Sequence, residues 1–255
     1  MKARLLKIRP PESNPTAKNM GGPARLIFTT LAIFFVSQLV AVLAIEIGFS
    51  IFSPDSSSTI DNSIVSQFLY ILIAEALAIW LVFLALKRRG IRAAFIGLGR
   101  RPRLTDLGQA AIAFMIFLAI LIAINAVINL FSPDLVDKKQ NLGFDNINTG
   151  FEKLLSFIAL VVIPPLGEET LVRGYLYSGL RKIWNFVPAM LTTSLLFGLA
   201  HLELGSNAGL VWAAAIDTFF LSIVLVYLRE KSGALYAGML VHMVNNLIAF
   251  LVVIK

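Results

Sequence analysis

The chain has only two histidines, His201 and His242, and both fall inside apolar stretches. An ionisable side chain in hydrocarbon costs roughly 3 kcal/mol or more, so each is a functional candidate by default. Two further groups accompany them: Gly167-Glu168-Glu169-Thr170-Leu171-Val172-Arg173, just after the pair Pro164-Pro165, and His242-Met243-Val244-Asn245-Asn246 near the C-terminus. His201 closes the run Phe197-Gly198-Leu199-Ala200-His201. On a helix, Glu169 and Arg173 share a face one turn apart and can neutralise each other. Glu168 points about 100° away from Glu169 and keeps its carboxylate free. His242 and Asn246, also one turn apart, present an imidazole and a carboxamide to one space. A carboxylate and two imidazoles can polarise a water directly, or can bind a divalent metal that lowers the water's pKa; an amide and a histidine can stabilise an oxyanion. Those groups together suit hydrolysis of a peptide bond.

The elements that must position them are membrane helices. Of 255 residues, 58% are hydrophobic and 15% charged, with a mean hydropathy of +0.82. Apolar runs of about 18 residues or more recur along the whole sequence, so the backbone must close its own hydrogen bonds as helices. Spans are expected at about 26–49, 64–86, 109–131, 154–180, 187–204, 208–228 and 234–254, an all-α polytopic bundle of about seven helices. Before them lies a polar, basic leader over 1–25. Pro164 and Pro165 donate no backbone hydrogen bond, so the fourth helix is expected to kink or break there, with neighbouring groups repairing the lost bonds. Measured from the expected cytoplasmic helix ends, Glu168 lies about 18 Å deep, His201 about 21 Å and His242 about 12 Å, which lets the three meet in one intramembrane hollow.

Eighteen of the 22 lysines and arginines fall at one set of span ends, and four (Lys138, Lys139, Lys153 and Lys255) at the other. The bias puts the N-terminus in the cytoplasm, and the loop with Asp134, Asp137 and Asp145 outside. The basic residues flank spans and form no aromatic-interleaved face, which argues against nucleic acid as a partner and for a lipid bilayer. The arginine-rich stretch from Lys87 to Arg103 reads as a topology determinant. No cysteine is present, which removes disulfides, thiol nucleophiles and Cys-ligated zinc. A G-x-S-G serine motif and an H-E-x-x-H metal helix are absent, and Gly97-Leu98-Gly99 is followed by Arg100 where an aspartyl intramembrane protease needs aspartate.

The three motifs resemble those of the CAAX prenyl-protein endopeptidase and bacteriocin-processing (CPBP, or Abi) family of intramembrane proteases: E-E-x-x-x-R, F-x-x-x-H and H-x-x-x-N/D. They occur in order as Glu168-Glu169…Arg173, Phe197…His201 and His242…Asn246. The resemblance implies a catalytic core over 154–255, in the last four helices, with 26–153 as accessory helices and loops. It implies that Glu168 and His201 activate water, that His242 and Asn246 hold the oxyanion, and that Glu169 and Arg173 brace the site. A metal such as zinc, with Glu168, His201 and His242 as candidate ligands, is the alternative to a glutamate mechanism. Val172 stands where many relatives carry an aromatic residue. The implied substrate is a membrane-associated peptide or protein, a prenylated C-a-a-X tail being one choice, in the cell membrane of a prokaryote.

Competing readings take the same residues differently. Histidines, Asn245 and Asn246 can serve helix packing, Phe197 reads as packing under any function, and Glu46, Glu75 and Asp217 as interhelical bonding groups. A non-enzymatic immunity or scaffolding protein of the same fold is one rival. A transporter with Glu75, Glu168 and Asp217 as a proton or cation path is the other.

Overall fold

This computed structural model describes residues 20–52, 63–131, 144, 147–204 and 210–253, which form seven longer helices and a short 3-10 helix, Ala93–Ile96. The leader up to residue 19, the loop residues Asp134, Asp137, Lys138, Lys139 and Asp145, and Lys255 lie outside them. Helix α1 runs Pro23–Phe52, α2 Ile64–Arg88 and α3 Leu104–Phe131. Next come α4, Gly150–Arg181, α5, Phe186–Ala200, α6, Trp212–Ser232, and α7, Tyr236–Val253. Five of these, α1, α2, α3, α4 and α6, are long and apolar enough to cross a membrane; α5 and α7 are shorter apolar helices. The only strands among the described residues pair Glu203 with Val211 and Leu204 with Leu210.

Pro23 at the first position of α1 and Ser63 capping α2 mark helix starts in the usual way, since the first N–H groups of a helix have no internal partner. The fourth helix starts earlier than the hydropathy suggests. Thr149 and Glu152 form a reciprocal capping box, with Thr149 Oγ1 accepting from the Glu152 N–H and Glu152 accepting from the Thr149 N–H.

The proline pair does not break α4. Its backbone instead widens to π-helix over Ile158–Val162 before the prolines and again over Glu169–Tyr177 after them. The Ile163 N–H bonds back to Ile158 O. The donor for Leu160 O would be residue 164 in an α-turn or 165 in a π-turn, and both are proline. Asn246 of α7 fills the vacancy, donating from Nδ2 to Leu160 O at 3.0 Å. The expected repair by a neighbouring group thus comes from a named side chain, and it fixes α7 against α4.

Three apolar clusters hold the described residues together, the smallest being Ile64, Phe144 and Ala159. Leu26 and Ile33 of α1, Ala78, Val82 and Leu86 of α2, and Leu171, Tyr175 and Leu180 of α4 pack together. Ala110, Ala113 and Phe117 of α3 pack on Leu221 and Leu225 of α6 and Val241 of α7. The opposite faces carry exposed Phe28, Phe35, Ile112, Met115 and Leu130, as lipid-facing surfaces do.

Three of the described arginines, Arg89, Arg100 and Arg229, tie interhelical segments to the helices they adjoin. Arg89 donates to the Tyr175 hydroxyl, Arg229 Nη2 to Phe95 O at 2.9 Å, and the Tyr236 hydroxyl to Arg100 O. Gly97, at φ +90°, sits against the Arg229 guanidinium and the Ala234 backbone, an approach and a backbone conformation that a side chain would obstruct.

Candidate active site

Helix α4 presents Glu168 at the junction where its α-helical turn gives way to π-helix. Such widened turns shift the facing of successive side chains and are frequent at functional sites. Glu169, the next residue, is buried at 1% exposure and bonds Arg173 Nη1 at 2.9 Å, the i,i+4 pair expected from the sequence. The same Oε1 lies 3.1 Å from His242 Nδ1. A carboxylate only accepts, so that imidazole carries its proton on Nδ1 and turns Nε2 the other way.

His201 lies one residue past α5, as its C-cap, and not within a longer fifth helix. Its Nδ1 is 2.8 Å from Phe197 O, again an acceptor, so Nε2 is the free nitrogen here too. Both Nε2 atoms face one oxygen. Glu168 Oε2 is 4.0 Å from His201 Nε2 and 3.7 Å from His242 Nε2. That oxygen is buried and has no hydrogen-bond partner. Both separations exceed a hydrogen bond and are short enough to be bridged by a water bonded to each end at about 2.8 Å once one is admitted. The structure therefore brings Glu168, His201 and His242 together from α4, α5 and α7.

Phe197 does more than fill space. The Arg173 guanidinium carbon lies 4.0 Å from its ring centroid, the His201 ring sits tilted against it at 4.6 Å and His242 meets it edge-on at 5.9 Å. Arg173 is wholly buried, with Nε and Nη2 unpartnered, so the ring face supplies part of the compensation its charge needs. Asn246 spends one amide N–H on Leu160 O and retains a second. Asn245 Nδ2 lies at the edge of bonding distance from Asn246 Oδ1, 3.5 Å.

A cavity of about 200 Å³ opens beside Glu168 and His201. Its walls take Leu171, Val172 and Leu176 from α4 and Leu196 from α5, but also Thr30, Phe34, Ser37 and Gln38 from α1 and Ala74, Glu75 and Ala78 from α2. No motif marks the α1 and α2 residues. Glu75 comes so close to α4 that a Cβ on Gly167 would collide with its carboxylate. Asp217 is not among the cavity residues; it bonds Asn125 of α3, and Glu46 is exposed on α1. Among the described residues no group of three or more His, Asp or Glu side chains is placed to hold a metal ion.

Residues 150–248 match the sequence model of the family described as Rce1-like, type II CAAX prenyl endopeptidase. That stretch contains all three motifs, and it supports the family resemblance read from them. A curated relative from Escherichia coli, described as an uncharacterized 24.3 kDa protein, is 30% identical over 92 residues. The alignment covers 35% of this chain and 40% of the relative, so the chain spans well under half of the length of the protein it matches. No solved structure matches the chain.

Proposed function

We propose that the chain is an intramembrane endopeptidase that hydrolyses a peptide bond of a membrane-associated protein or peptide, a prenylated C-a-a-X tail among the substrates to try. The observation that carries this reading is the unpartnered Oε2 of Glu168, facing the Nε2 atoms of His201 and His242 at 4.0 and 3.7 Å. In the proposed reaction a water donates one hydrogen bond to His201 Nε2, which orients it, and gives its other proton to Glu168 as its oxygen attacks the scissile carbonyl. The second amide N–H of Asn246 stabilises the oxyanion, and His242, tethered through Nδ1 to Glu169, joins it from Nε2 only when the imidazole takes up a second proton there. Protonated Glu168 then returns the proton to the leaving amine. Glu169 and Arg173 hold His242 in place and are not themselves consumed.

The catalytic core on this reading is the last four helices, within a bundle of about seven spans. The N-terminus is cytoplasmic, in a prokaryotic cell membrane. Zinc, with Glu168, His201 and His242 as ligands, remains the alternative source of water activation; metal content measured on active protein, before and after chelation, decides between the two.

Purified protein in liposomes with a fluorogenic prenylated peptide tests the activity, wild type beside Glu168→Ala and His201→Ala. Turnover by the wild type that falls at least about 100-fold in both variants is expected. Partner binding or resistance that survives both changes would favour a scaffold, and a wild type that cleaves no membrane-anchored peptide would sink the protease reading.

A further inference from the structure

Four acids are buried among the described residues, and three of them bond an arginine: Asp106 to Arg100, Glu169 to Arg173 and Glu230 to Arg181. The fourth, Glu75 of α2, has neither an ion pair nor a hydrogen bond to any described residue. It is 9% exposed, and its oxygens, unlike Glu168 Oε2, are not sealed off. The charge set against it is that of Glu168, of its own sign. Burying a carboxyl group without a partner is unfavourable in either protonation state. Helix α4 nonetheless makes room for it. Gly167, the residue before Glu168, leaves open the space in which a Cβ would collide with Glu75 Oε2, although glycine is otherwise a poor residue inside a helix.

The cavity says what the missing partner is. Glu75 and Glu168 both line it, and no lysine or arginine does. Arg173 is wholly buried and bonded to Glu169, outside the cavity wall. His201 has spent Nδ1 on Phe197 O. The cavity thus presents two acids and no resident cation, between walls made apolar by residues such as Leu31, Phe34 and Val172. A cavity of about 150 Å³ accepts benzene, so one of about 200 Å³ has room for a long side chain. Lysine and arginine carry a cationic head on an apolar stem, which suits acids set among apolar walls.

We propose that Glu75 is a specificity residue, pairing with a lysine or arginine that the substrate carries beside the bond to be cut. The ammonium or guanidinium brings both the counter-charge and the N–H donors that Glu75 lacks. Because the carboxylate packs against Gly167, immediately before Glu168, the basic residue it holds flanks the scissile carbonyl. The same two acids disfavour an acidic residue at that position. The proposal rests on the hydrolase reading and narrows its substrate class to membrane-associated chains with a basic residue next to the cleavage point.

Full-length protein in liposomes provides the test, with fluorescent prenylated hexapeptides in which one lysine is moved from position to position. Each is compared with its norleucine, acetyl-lysine and glutamate counterparts. Kd is read with the wild type and Glu75→Gln each carrying His201→Gln, so that no peptide is consumed. At one or two adjacent positions lysine should bind about tenfold more tightly than norleucine or acetyl-lysine, the size expected of one charge-assisted hydrogen bond, and glutamate should bind more weakly than either. Glu75→Gln, of the same shape without the charge, should bring lysine and norleucine within about twofold of each other. Its Tm should hold or rise, since no partner is stranded by the change. No position at which lysine exceeds both neutral counterparts, or the same lysine preference in Glu75→Gln, overturns the proposal. The acetyl-lysine comparison needs no change at Glu75, so it decides the matter even if Glu75→Gln does not fold. Cleavage by the wild type without preference for lysine sinks this proposal alone, whereas lysine-selective binding without cleavage counts against the hydrolase reading alone.

Discussion

Glu168 and Glu169 are neighbours in the chain with opposite surroundings. Glu169 has Arg173 at 2.9 Å and His242 at 3.1 Å; Glu168 Oε2 has no hydrogen-bond partner. Removing one member of a buried ion pair leaves the other charge stranded, at about 3–5 kcal/mol. Glu169→Gln and Arg173→Met are therefore expected to lower thermal stability and yield together with activity. Glu168→Gln, which removes a charge lacking a compensating partner, should leave stability unchanged or slightly raised while turnover collapses. Normal melting in both Glu169→Gln and Arg173→Met would contradict the bracing role. The Glu169–Arg173 pair and the separate facing of Glu168 were legible in the sequence because both follow from positions within one helix. The bond from His242 to Glu169 spans 73 residues, and the place of Phe197 between Arg173 and the two imidazoles depends on how three helices cross. Periodicity carries no information on either, so Phe197 reads from sequence as packing alone.

Helix α4 shows what the proline pair demands. Leu160 O has lost its donor in either helical register, and Asn246 Nδ2 replaces it. Asn246→Ala should then destabilise the protein by about 1–3 kcal/mol, as stranding a buried carbonyl does. Pro164→Ala restores a backbone donor four residues on, so in that background the same change should cost less than about 1 kcal/mol. Equal costs in both backgrounds, measured by thermal or denaturant unfolding, would mean that the Asn246 bond does not serve the repair. Sequence alone shows the need for repair but not the π-widened turns by which the helix continues. The start at Gly150 was readable from Thr149 and Glu152, whose spacing is a helix-start signal; hydropathy, which begins later, pulled the boundary inward. The early end of α5 at Ala200 escaped because the first helix-stopping residue type after it in the sequence is Gly205. Val172 lines the cavity. Val172→Trp should fill part of that space and raise KM for bulky substrates with little change for small ones; an unchanged KM for every substrate size would separate this wall from binding.

At the scale of the molecule, the site is shared more widely than its motifs. Helices α4, α5 and α7 bring the polar groups, while α1 and α2 close the cavity with residues such as Thr30, Ser37 and Glu75 that no spacing rule singles out. The membrane helices were legible from composition, because it reflects solvent preference. Since the chain has no cysteine, single cysteines can report topology directly. Cysteine at Arg101 or Ser232 should be labelled by an impermeant thiol reagent only from the cytoplasmic side, and labelling from outside would reverse the orientation. The central claim is that three helices hold one water between Glu168, His201 and His242. Single-turnover cleavage by Glu168→Gln, His201→Gln and the double variant, with folding verified by melting, tests it most directly. Groups that act on the same water are strongly non-additive, so the double variant is predicted to be no slower than the slower single one. Two large losses that multiply in the double variant would show that the two side chains act independently, and would contradict the account.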